Sequence, residues 1–306
     1  ALLTSCLLAS TALAQDNSPY NDCRGKNRVM EDAVDEEGKA ILQKDGSQQR
    51  REVRGDKWGN AQGSQYDLAV DGAFEGQTVA VLQLAREIDF SRPKAALKQK
   101  GFSVYRWMGA PSPEELKTKL SKACQLWILS GTARQLNDKH LAVIKEFYES
   151  GRGLYIWGDN DPYYADANFV GKALIGTTMT GNLPGAKTVG LQETATSPGI
   201  LPNHLLSTGL QSVYEGITIA TIQSNQTLTP LIYGSANNLV AAFSDTGGKR
   251  VIFDGGFTRL YCAWDNAGTG RYIRNAAAWL ANVERFGDDV VGKKTPAVKK
   301  IPENAK

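Results

Sequence analysis

The sequence contains few of the residues on which much enzyme and metal chemistry depends. Its 306 residues include only 2 histidines and 4 cysteines. The cysteines form no CxxC pair and have no histidine beside them. A structural zinc site needs four such ligands at short spacings, so we predict no zinc site. We predict no other metal and no cofactor either.

A strong excess of one charge and a long apolar run are also lacking. The formal net charge is +3, and much of the basic excess lies in the last residues, Lys293 to Lys306. This distribution excludes a broad nucleic-acid surface, so we predict no nucleic-acid partner. The N-terminal apolar run is too short to cross a bilayer comfortably, and we predict no integral membrane span. With 42% hydrophobic residues, the chain has the composition of a soluble globular protein.

The N-terminal string ALLTSCLLASTALAQ is typical of a secretory signal. Its apolar run is followed by small residues at Ala12 and Ala14, which favours cleavage before Gln15. We therefore predict a signal peptide over 1–14 and an exported protein, periplasmic or extracellular. A short membrane anchor and a lipoprotein attached through Cys6 are the alternatives.

Three cysteines follow this cleavage site: Cys23, Cys124 and Cys262. An odd number permits one disulfide and one free thiol. Because Cys124 lies between a helical pattern and a strand, and Cys262 follows another strand, we favour two partly buried free thiols.

Composition divides the rest of the chain into three parts. Residues 15–76 are charged and poor in aliphatic side chains, which predicts a poorly structured extension. Within it, a short helix over Glu31 to Gln43 and an edge strand over Tyr66 to Val70 are expected. Residues 77–285 have the texture of an α/β domain, and 286–306 form a basic tail rich in lysine and proline.

Strands and helices alternate in the first half of this domain. Apolar strand patterns occur at TVAVLQLA after Gln77, at Phe102 to Trp107, at Leu126 to Leu129 and at LYIW before Gly158. Helix starts are signalled at Ser91, Ser112 and Asn137. This alternation predicts an α/β fold with a doubly wound, mostly parallel sheet.

The second half of the domain changes character. Gly176 to Ser212 is rich in Gly, Thr, Pro and Asn, which predicts a long loop. Four strand patterns follow, separated by turn residues, at Ile217 to Ile222, Leu228 to Tyr233, Leu239 to Phe243 and Arg250 to Phe253. They predict an antiparallel C-terminal extension of the sheet, closed by a helix over Thr269 to Val283.

Two parts of the sequence resemble a known superfamily. The string LWILSGTARQLNDKHLAVIKEFYESGRGLYIWGDN, and the later KRVIFDGG and NAAAWL, resemble the class I glutamine amidotransferase-like superfamily, particularly its non-catalytic and trehalose-utilisation-like branches. The resemblance covers positions 77 to 283 and implies a flavodoxin-like fold. Catalytic members carry a cysteine at a nucleophile elbow, activated by a histidine with a supporting glutamate. Here the elbow reads Trp157-Gly158-Asp159-Asn160-Asp161, so we do not expect glutamine hydrolysis.

The densest polar cluster, Asp159, Asn160 and Asp161, follows a strand end. Such oxygen-rich clusters hold ligands or Ca²⁺ in some proteins, but this spacing is not that of an EF-hand loop. The structural alternative is a turn capped by these side chains, with Pro162 starting the next helix. Of the two histidines, His140 is expected on the solvated face of a helix and His204 in the long loop, where it is a weak candidate for a general base.

A second candidate site follows the last strand. Asp254, Arg259, Trp264 and Asp265 can form a carbohydrate or anion pocket, because carboxylates and guanidinium groups bind hydroxyls and tryptophan offers a stacking face. The alternative is an Asp254–Arg259 pair and a tryptophan packed under a loop.

A weaker candidate follows an earlier strand. Gly131 and Thr132 can present backbone N–H groups to an anion, although a Gly-Thr pair is more often a simple turn.

These observations favour an exported, non-catalytic binding protein for a small polar ligand, such as a glycan, or for a protein partner. A carbohydrate or ester hydrolase using Asp159 or Asp254 as a general base is one alternative. A self-associating structural protein is another. The first two require the candidate side chains to meet at one edge of the sheet.

Overall fold

The computed structural model describes residues 28–33, 41–47, 49–264 and 267–292. The chain forms two compact units, Ala1–Gln62 and Gly63–Lys306. The predicted signal peptide, Cys23, Asp265 and the tail beyond residue 292 lie outside the described residues.

The first unit contains a two-stranded antiparallel ribbon. Its strands are β1 (Arg28–Asp32) and β2 (Arg50–Arg54), and Arg28 lies opposite Arg54. The helix predicted from Glu31 to Gln43 is wrong wherever the described residues reach it, because its first two residues belong to β1 and residues 41–43 are not helical. A weak apolar stripe does not outweigh the backbone pairing of two strands.

The second unit contains the α/β domain. Its helices are α1 (Ser91–Gln99), α2 (Pro113–Leu120), α3 (Asp138–Glu149), α4 (Ala165–Ile175), α5 (Thr269–Leu280) and α6 (Val283–Phe286). Its strands are β3 (Thr78–Gln83), β4 (Ser103–Met108), β5 (Gln125–Leu129), β6 (Gly153–Trp157), β7 (Met179–Pro184), β8 (Thr188–Val189), β9 (Gly199–Ile200), β10 (Val213–Tyr214), β11 (Thr218–Ile222), β12 (Thr229–Tyr233), β13 (Leu239–Ser244) and β14 (Val251–Asp254).

Eight of these strands form the central sheet, in the order β4-β3-β5-β6-β14-β13-β12-β9. The first five are parallel to one another, and β13, β12 and β9 continue the sheet in antiparallel pairs. The predicted doubly wound, mostly parallel sheet with an antiparallel C-terminal extension is therefore confirmed. The strand predicted from Ile217 to Ile222, however, is β11, which pairs with β7 in a separate two-stranded sheet. The parallel strands β3, β5, β6 and β14 all end at one edge, which we call the carboxyl edge.

The two faces of the sheet form two apolar cores. On β5 and β6, Trp127, Tyr155 and Trp157 point to one face, while Leu126 and Ile156 point to the other. The three aromatic rings form a ladder, with centroids 5.1 Å apart for Trp127 and Tyr155 and 4.1 Å apart for Tyr155 and Trp157. Strands buried on both faces explain why the sequence shows continuous apolar runs instead of alternation.

The helix starts follow the sequence signals with one exception. The side chain of Ser112 accepts from the backbone of Glu115, and Asn137 caps α3 in the same way. Ser91, expected to be a cap, is instead the first residue of α1. The carboxylate of Asp89 accepts hydrogen bonds from the N–H and the hydroxyl of Ser91, so the side chain that caps the helix lies two residues before Ser91.

The long loop predicted from Gly176 to Ser212 is wrong in part, because it contains β7, β8 and β9. Strand β7 pairs with β11, with Pro184 opposite Thr218, and β9 pairs with β12, with Ile200 opposite Ile232. These partners lie more than 30 residues away in sequence, so the local pattern gives no sign of them.

The edge strand predicted from Tyr66 to Val70 is also wrong. A 3-10 turn, Ser64–Tyr66, ends at the first residue of this segment, and the N–H of Leu68 donates to Asn275 of α5 at 2.8 Å. The buried carboxylate of Asp67 binds Arg271 at 2.9 Å. Side chains from elsewhere in the domain therefore hold this segment, in place of a neighbouring strand.

No helix within the described ranges has the length and apolar character to cross a membrane.

Candidate functional site

Two of the predicted site residues meet at the carboxyl edge, as expected. Strand β14 lies beside β6 in parallel, and Asp254 is in register with Trp157. Asp159 follows Trp157 by two residues, so both carboxyl groups lie at the same edge of the sheet. Their surroundings differ, and this difference decides what each can do.

Asp254 is enclosed in an ion pair with Arg259. Both residues are 0% exposed. The guanidinium lies 3.2 Å from Oδ1 and 3.3 Å from Oδ2 of Asp254. Its remaining donors bind the backbone carbonyls of Gly256, at 3.1 Å, and Glu215, at 2.9 Å. All of these bonds join groups within the domain, so Asp254 and Arg259 form the structural pair that was the alternative to a carbohydrate or anion pocket.

Two tyrosines complete this network. The hydroxyls of Tyr155 and Tyr272 lie 3.2 and 3.1 Å from Oδ2 of Asp254 and 2.9 Å from each other. Burial raises the pKa of both phenols well above the ordinary value, so they remain protonated. Asp254 is therefore hydrogen-bonded on both oxygens, and neither oxygen is left for a ligand.

Trp264 is buried as well. It belongs to the core cluster, and a Cβ atom added at Gly270 of α5 would lie 3.5 Å from its indole. The tryptophan is thus packed under the loop after β14 instead of offering a free stacking face. Asp265, the next residue, lies outside the described residues.

Asp159 has no such partners. It is 1% exposed, and neither carboxyl oxygen makes a hydrogen bond within the part of the chain that the structure describes. Burial raises its pKa from 3.8 to about 8. The nearby N–H groups of Asn160 and Thr258 and the charge of Arg259 offset only part of this effect, and the N–H groups do not reach hydrogen-bonding geometry. Asp159 is therefore mostly protonated at pH 7.

Tyr163, Tyr261 and Cys262 lie close enough to Asp159 for its charge to raise their pKa values. Tyr163 and Tyr261 flank the ring of Phe257, with centroids 5.6 and 6.5 Å from it. Burial, followed by the charge of Asp159, raises the pKa of the partly exposed Cys262 thiol. We call these five residues, Asp159, Tyr163, Phe257, Tyr261 and Cys262, the Asp159 pocket.

Of these five residues, the sequence predicted only Asp159 as a site residue. Tyr261 and Cys262 lie in the string LYCAW after β14, a loop that was already expected at the carboxyl edge. Their position in that loop was the available signal. It did not show which of the loop side chains turn toward Asp159 and which, like Trp264, turn into the core.

Asn160 and Asp161 stabilise the turn after β6. Asn160 accepts a hydrogen bond from the hydroxyl of Thr218 at 2.9 Å, and Asp161 accepts one from Tyr164 at 2.7 Å. The helix expected at Pro162 begins later, at Ala165. Among the described residues, no group of three or more His, Cys, Asp or Glu side chains is placed to hold a metal ion.

Gly131 and Thr132 lie in different surroundings. Gly131 is buried, and a Cβ atom there would lie 2.8 Å from the carbonyl oxygen of Leu84. That oxygen also accepts a hydrogen bond from Gln135 at 2.8 Å. Close packing of two backbone segments thus explains the glycine, whereas the side chain of Thr132 is exposed.

Exchange of Gly131 for alanine should therefore affect folding. We expect Gly131→Ala to lower the free energy of unfolding by about 1–3 kcal/mol, because the added methyl group meets a fixed carbonyl. Thr132→Ala is the matched control and should change stability by less than about 0.5 kcal/mol. Urea unfolding followed by circular dichroism measures both. Equal stability of the two variants would contradict the packing explanation.

Both histidines have structural partners. His140, expected on a solvated helix face, is buried: Nε2 donates to the carbonyl of Pro111 at 2.7 Å, and Nδ1 lies at the Asn137 cap. Nδ1 of His204 accepts from Leu206 at 3.1 Å, and its ring lies 4.4 Å from that of Phe243. Neither is placed beside Asp159 or Asp254.

The two described cysteines are free thiols, as favoured from the sequence. Cys124 is buried, which raises its pKa to about 12, and Cys262 is partly exposed. The difference in exposure predicts that only Cys262 of the pair is accessible to reagents in the native state.

Two cavities lie near the opposite edge of the sheet. One of about 590 Å³ is lined by His204, Arg250 and Trp279 among others. One of about 370 Å³ lies between α2 and α3 beside Lys117. At these cavities Arg250 is paired with Glu284 and Lys117 with Glu146, each at 2.8 Å. We therefore place the candidate site at Asp159, because neither of its buried carboxyl oxygens has a hydrogen-bond partner among the residues that the structure describes.

No known protein family matches this sequence, and no curated protein sequence matches it. Several solved structures are similar to it. A ThuA-like protein from Bacteroides uniformis is 12% identical over 67% of this chain and 91% of that one, with a TM-score of 0.47. An exo-beta-1,4-mannosidase from an Opitutaceae bacterium is 12% identical over 67% of this chain and 36% of that one, with a TM-score of 0.38.

A GMP synthase component from Thermoplasma acidophilum is 11% identical over 67% of this chain and 96% of that one, with a TM-score of 0.38. These distant likenesses assign no activity. The α/β fold is established by the strand order itself.

Proposed function

We propose that this chain is an exported, non-catalytic binding protein that holds a small polar ligand in the Asp159 pocket. The observation that carries the proposal is the buried carboxyl group of Asp159, whose two oxygens lack a hydrogen-bond partner among the described residues. Leaving such a group unsatisfied costs about 1–3 kcal/mol, which a ligand that bonds to it returns as binding free energy. Export is supported by the signal-like N-terminal string alone.

The position and lining of the pocket support the same proposal. Ligands of open α/β sheets bind in the crevice beyond the carboxyl ends of the strands, and Asp159 follows β6 there. Tyr163 and Tyr261 are only partly buried, so their rings present apolar surface with a polar tip. Apolar walls with a few directed polar groups are typical of small-molecule sites.

A hydrolase is the second candidate. Its supporting observation is again Asp159, because a carboxyl group that stays protonated near neutral pH is suited to act as a general acid. Asp254 is a poor partner for such a reaction, because its oxygens are bonded to Arg259 and the two phenols. Turnover of any glycoside or ester that is lost in Asp159→Asn would favour the hydrolase.

Alkylation of Cys262 provides a direct test of the binding proposal. The protein is screened on an array of neutral, acidic and amino glycans, and each binder is then added during iodoacetamide labelling read by peptide mass spectrometry. We expect a binder to slow labelling of Cys262 several-fold, because the thiol lies in the pocket. Buried Cys124 should remain unlabelled and serves as the internal reference.

The matched variants are Asp159→Ala and Asp161→Ala, which remove each carboxyl group altogether. The first should abolish both binding and protection, and the second should preserve both, since Asp161 is exposed and its carboxylate accepts from Tyr164 of the same turn. If ligands bind equally well to both variants and never protect Cys262, the Asp159 pocket is not the binding site.

A further inference from the structure

The state of Asp159 restricts what its ligand can be. The carboxyl group is buried, lacks hydrogen-bond partners among the described residues, and lies near a pair of opposite charges, Asp254 and Arg259. Because this pair is neutral as a whole, it supplies no net charge for a ligand to neutralise. A protonated carboxyl group offers one donor and one acceptor side by side.

Ligand classes differ in how well they match this pair of sites. A hydroxyl both donates and accepts, so two neighbouring hydroxyls can satisfy both oxygens of Asp159. An ammonium group only donates and leaves the carboxyl proton without an acceptor, while an anion only accepts. The partly exposed rings of Tyr163 and Tyr261 suit the C–H face of a sugar.

We propose that the ligand of the Asp159 pocket is an uncharged polyhydroxylated molecule, and that it binds only while Asp159 is protonated. This inference rests on the function proposed above and gives it a chemical class. Above neutral pH, binding must then take up one proton from solution.

Burial also raises the pKa of Asp254, but the charge of Arg259 and the hydrogen bonds that Asp254 accepts oppose this shift. The remaining titratable groups around Asp159 do not give the same signal. Arg259 stays charged, and the phenols of Tyr163 and Tyr261 have pKa values raised above their ordinary value of 10.0, Tyr163 by Glu87 and Tyr261 by burial. Exposed Glu87 and Arg92 at the rim carry opposite charges. Cys262 titrates in a higher range than Asp159, because burial raises its pKa from 9.0. A Cys262→Ser variant removes its contribution.

The test is titration calorimetry on the full chain at pH 6 to 9.5, with cellotriose and maltotriose as neutral probes and spermidine as the cationic probe. We expect at least one neutral probe to bind with constant affinity up to about pH 7 and to lose about tenfold per pH unit beyond pH 8. At pH 9, buffers with different ionisation enthalpies should report uptake of close to one proton. Asp159→Asn should remove the pH dependence, and Cys262→Ser should keep it.

Three results would overturn the inference in distinguishable ways. If spermidine binds, and binds more tightly as the pH rises through 8, the pocket exists but takes a cation. If a neutral probe binds wild type with no pH dependence, Asp159 is not coupled to binding. If no probe binds and none slows Cys262 labelling, the inference fails, and a blank glycan array would remove the proposed function as well.

Discussion

Replacement of Asp159 by asparagine is expected to raise the free energy of unfolding at pH 8 and to change it little at pH 4. Burial raises the pKa of Asp159 from 3.8 to about 8 in the folded protein. Such a group contributes its full stability below the unfolded pKa, and this contribution is lost as the pH rises through the folded pKa. Wild-type stability should therefore fall between pH 4 and 8, by at most about 5 kcal/mol from this residue.

Asparagine has nearly the same shape and cannot ionise, so it removes this dependence. Denaturant unfolding of wild type and Asp159→Asn at half-unit pH intervals measures the difference between them, which cancels the contributions of other carboxyl groups. Asp161→Asn is the control, since Asp161 is exposed one turn away. Parallel curves for wild type and Asp159→Asn would show that Asp159 ionises without cost.

Arg259→Met is expected to destabilise the domain by about 3–5 kcal/mol, because it leaves Asp254 as a buried charge without its counterion. The guanidinium also binds the carbonyls of Gly256 and Glu215, which would lose their donors. Thermal and urea unfolding at pH 7 measure the loss. The stability cost should be accompanied by weaker order in the loop after β14, which carries three residues of the Asp159 pocket.

A double-mutant cycle separates the pair from the individual side chains. Asp254→Asn combined with Arg259→Met should cost clearly less than the sum of the two single variants, because no unpaired charge remains. An exposed pair provides the comparison: Lys117 and Glu146 lie 2.8 Å apart with side chains 62% and 66% exposed. Lys117→Met should cost less than about 1 kcal/mol. Additive effects at Asp254 and Arg259 would contradict a coupled ion pair.

The placement of Asp254 and Asp159 could be predicted because it depends on local patterns. Strands β6 and β14 are apolar runs that end in polar residues, and parallel strands bring such ends to one edge. What each carboxyl group does there depends on distant residues. Tyr155 lies 99 positions before Asp254, and no pattern in either segment indicates that they touch.

The same reason explains the errors. The helical position of His140 predicts exposure to solvent. The side chain is instead buried, and its Nε2 donates to the carbonyl of Pro111, 29 residues earlier in the sequence. The strands β7 and β9 have no apolar pattern of their own and form because β11 and β12 present free edges to them. The lack of hydrogen-bond partners at Asp159 could not be predicted either. A local pattern shows that a carboxyl group is present, but whether the described neighbours bond to it depends on residues distant in the sequence.

The aromatic ladder on β5 and β6 gives the protein an intrinsic optical reporter. Trp127, Tyr155 and Trp157 are fully buried and in ring contact, and the guanidinium of Arg259 lies 5.9 Å from the Trp157 ring. Closely packed, immobile rings give a near-ultraviolet circular dichroism signal that disappears when tertiary packing is lost. The hydroxyl of Tyr155 also bonds to Asp254. Loosening of the buried network beneath the Asp159 pocket should therefore change the spectrum of the unlabelled protein before the sheet itself unfolds.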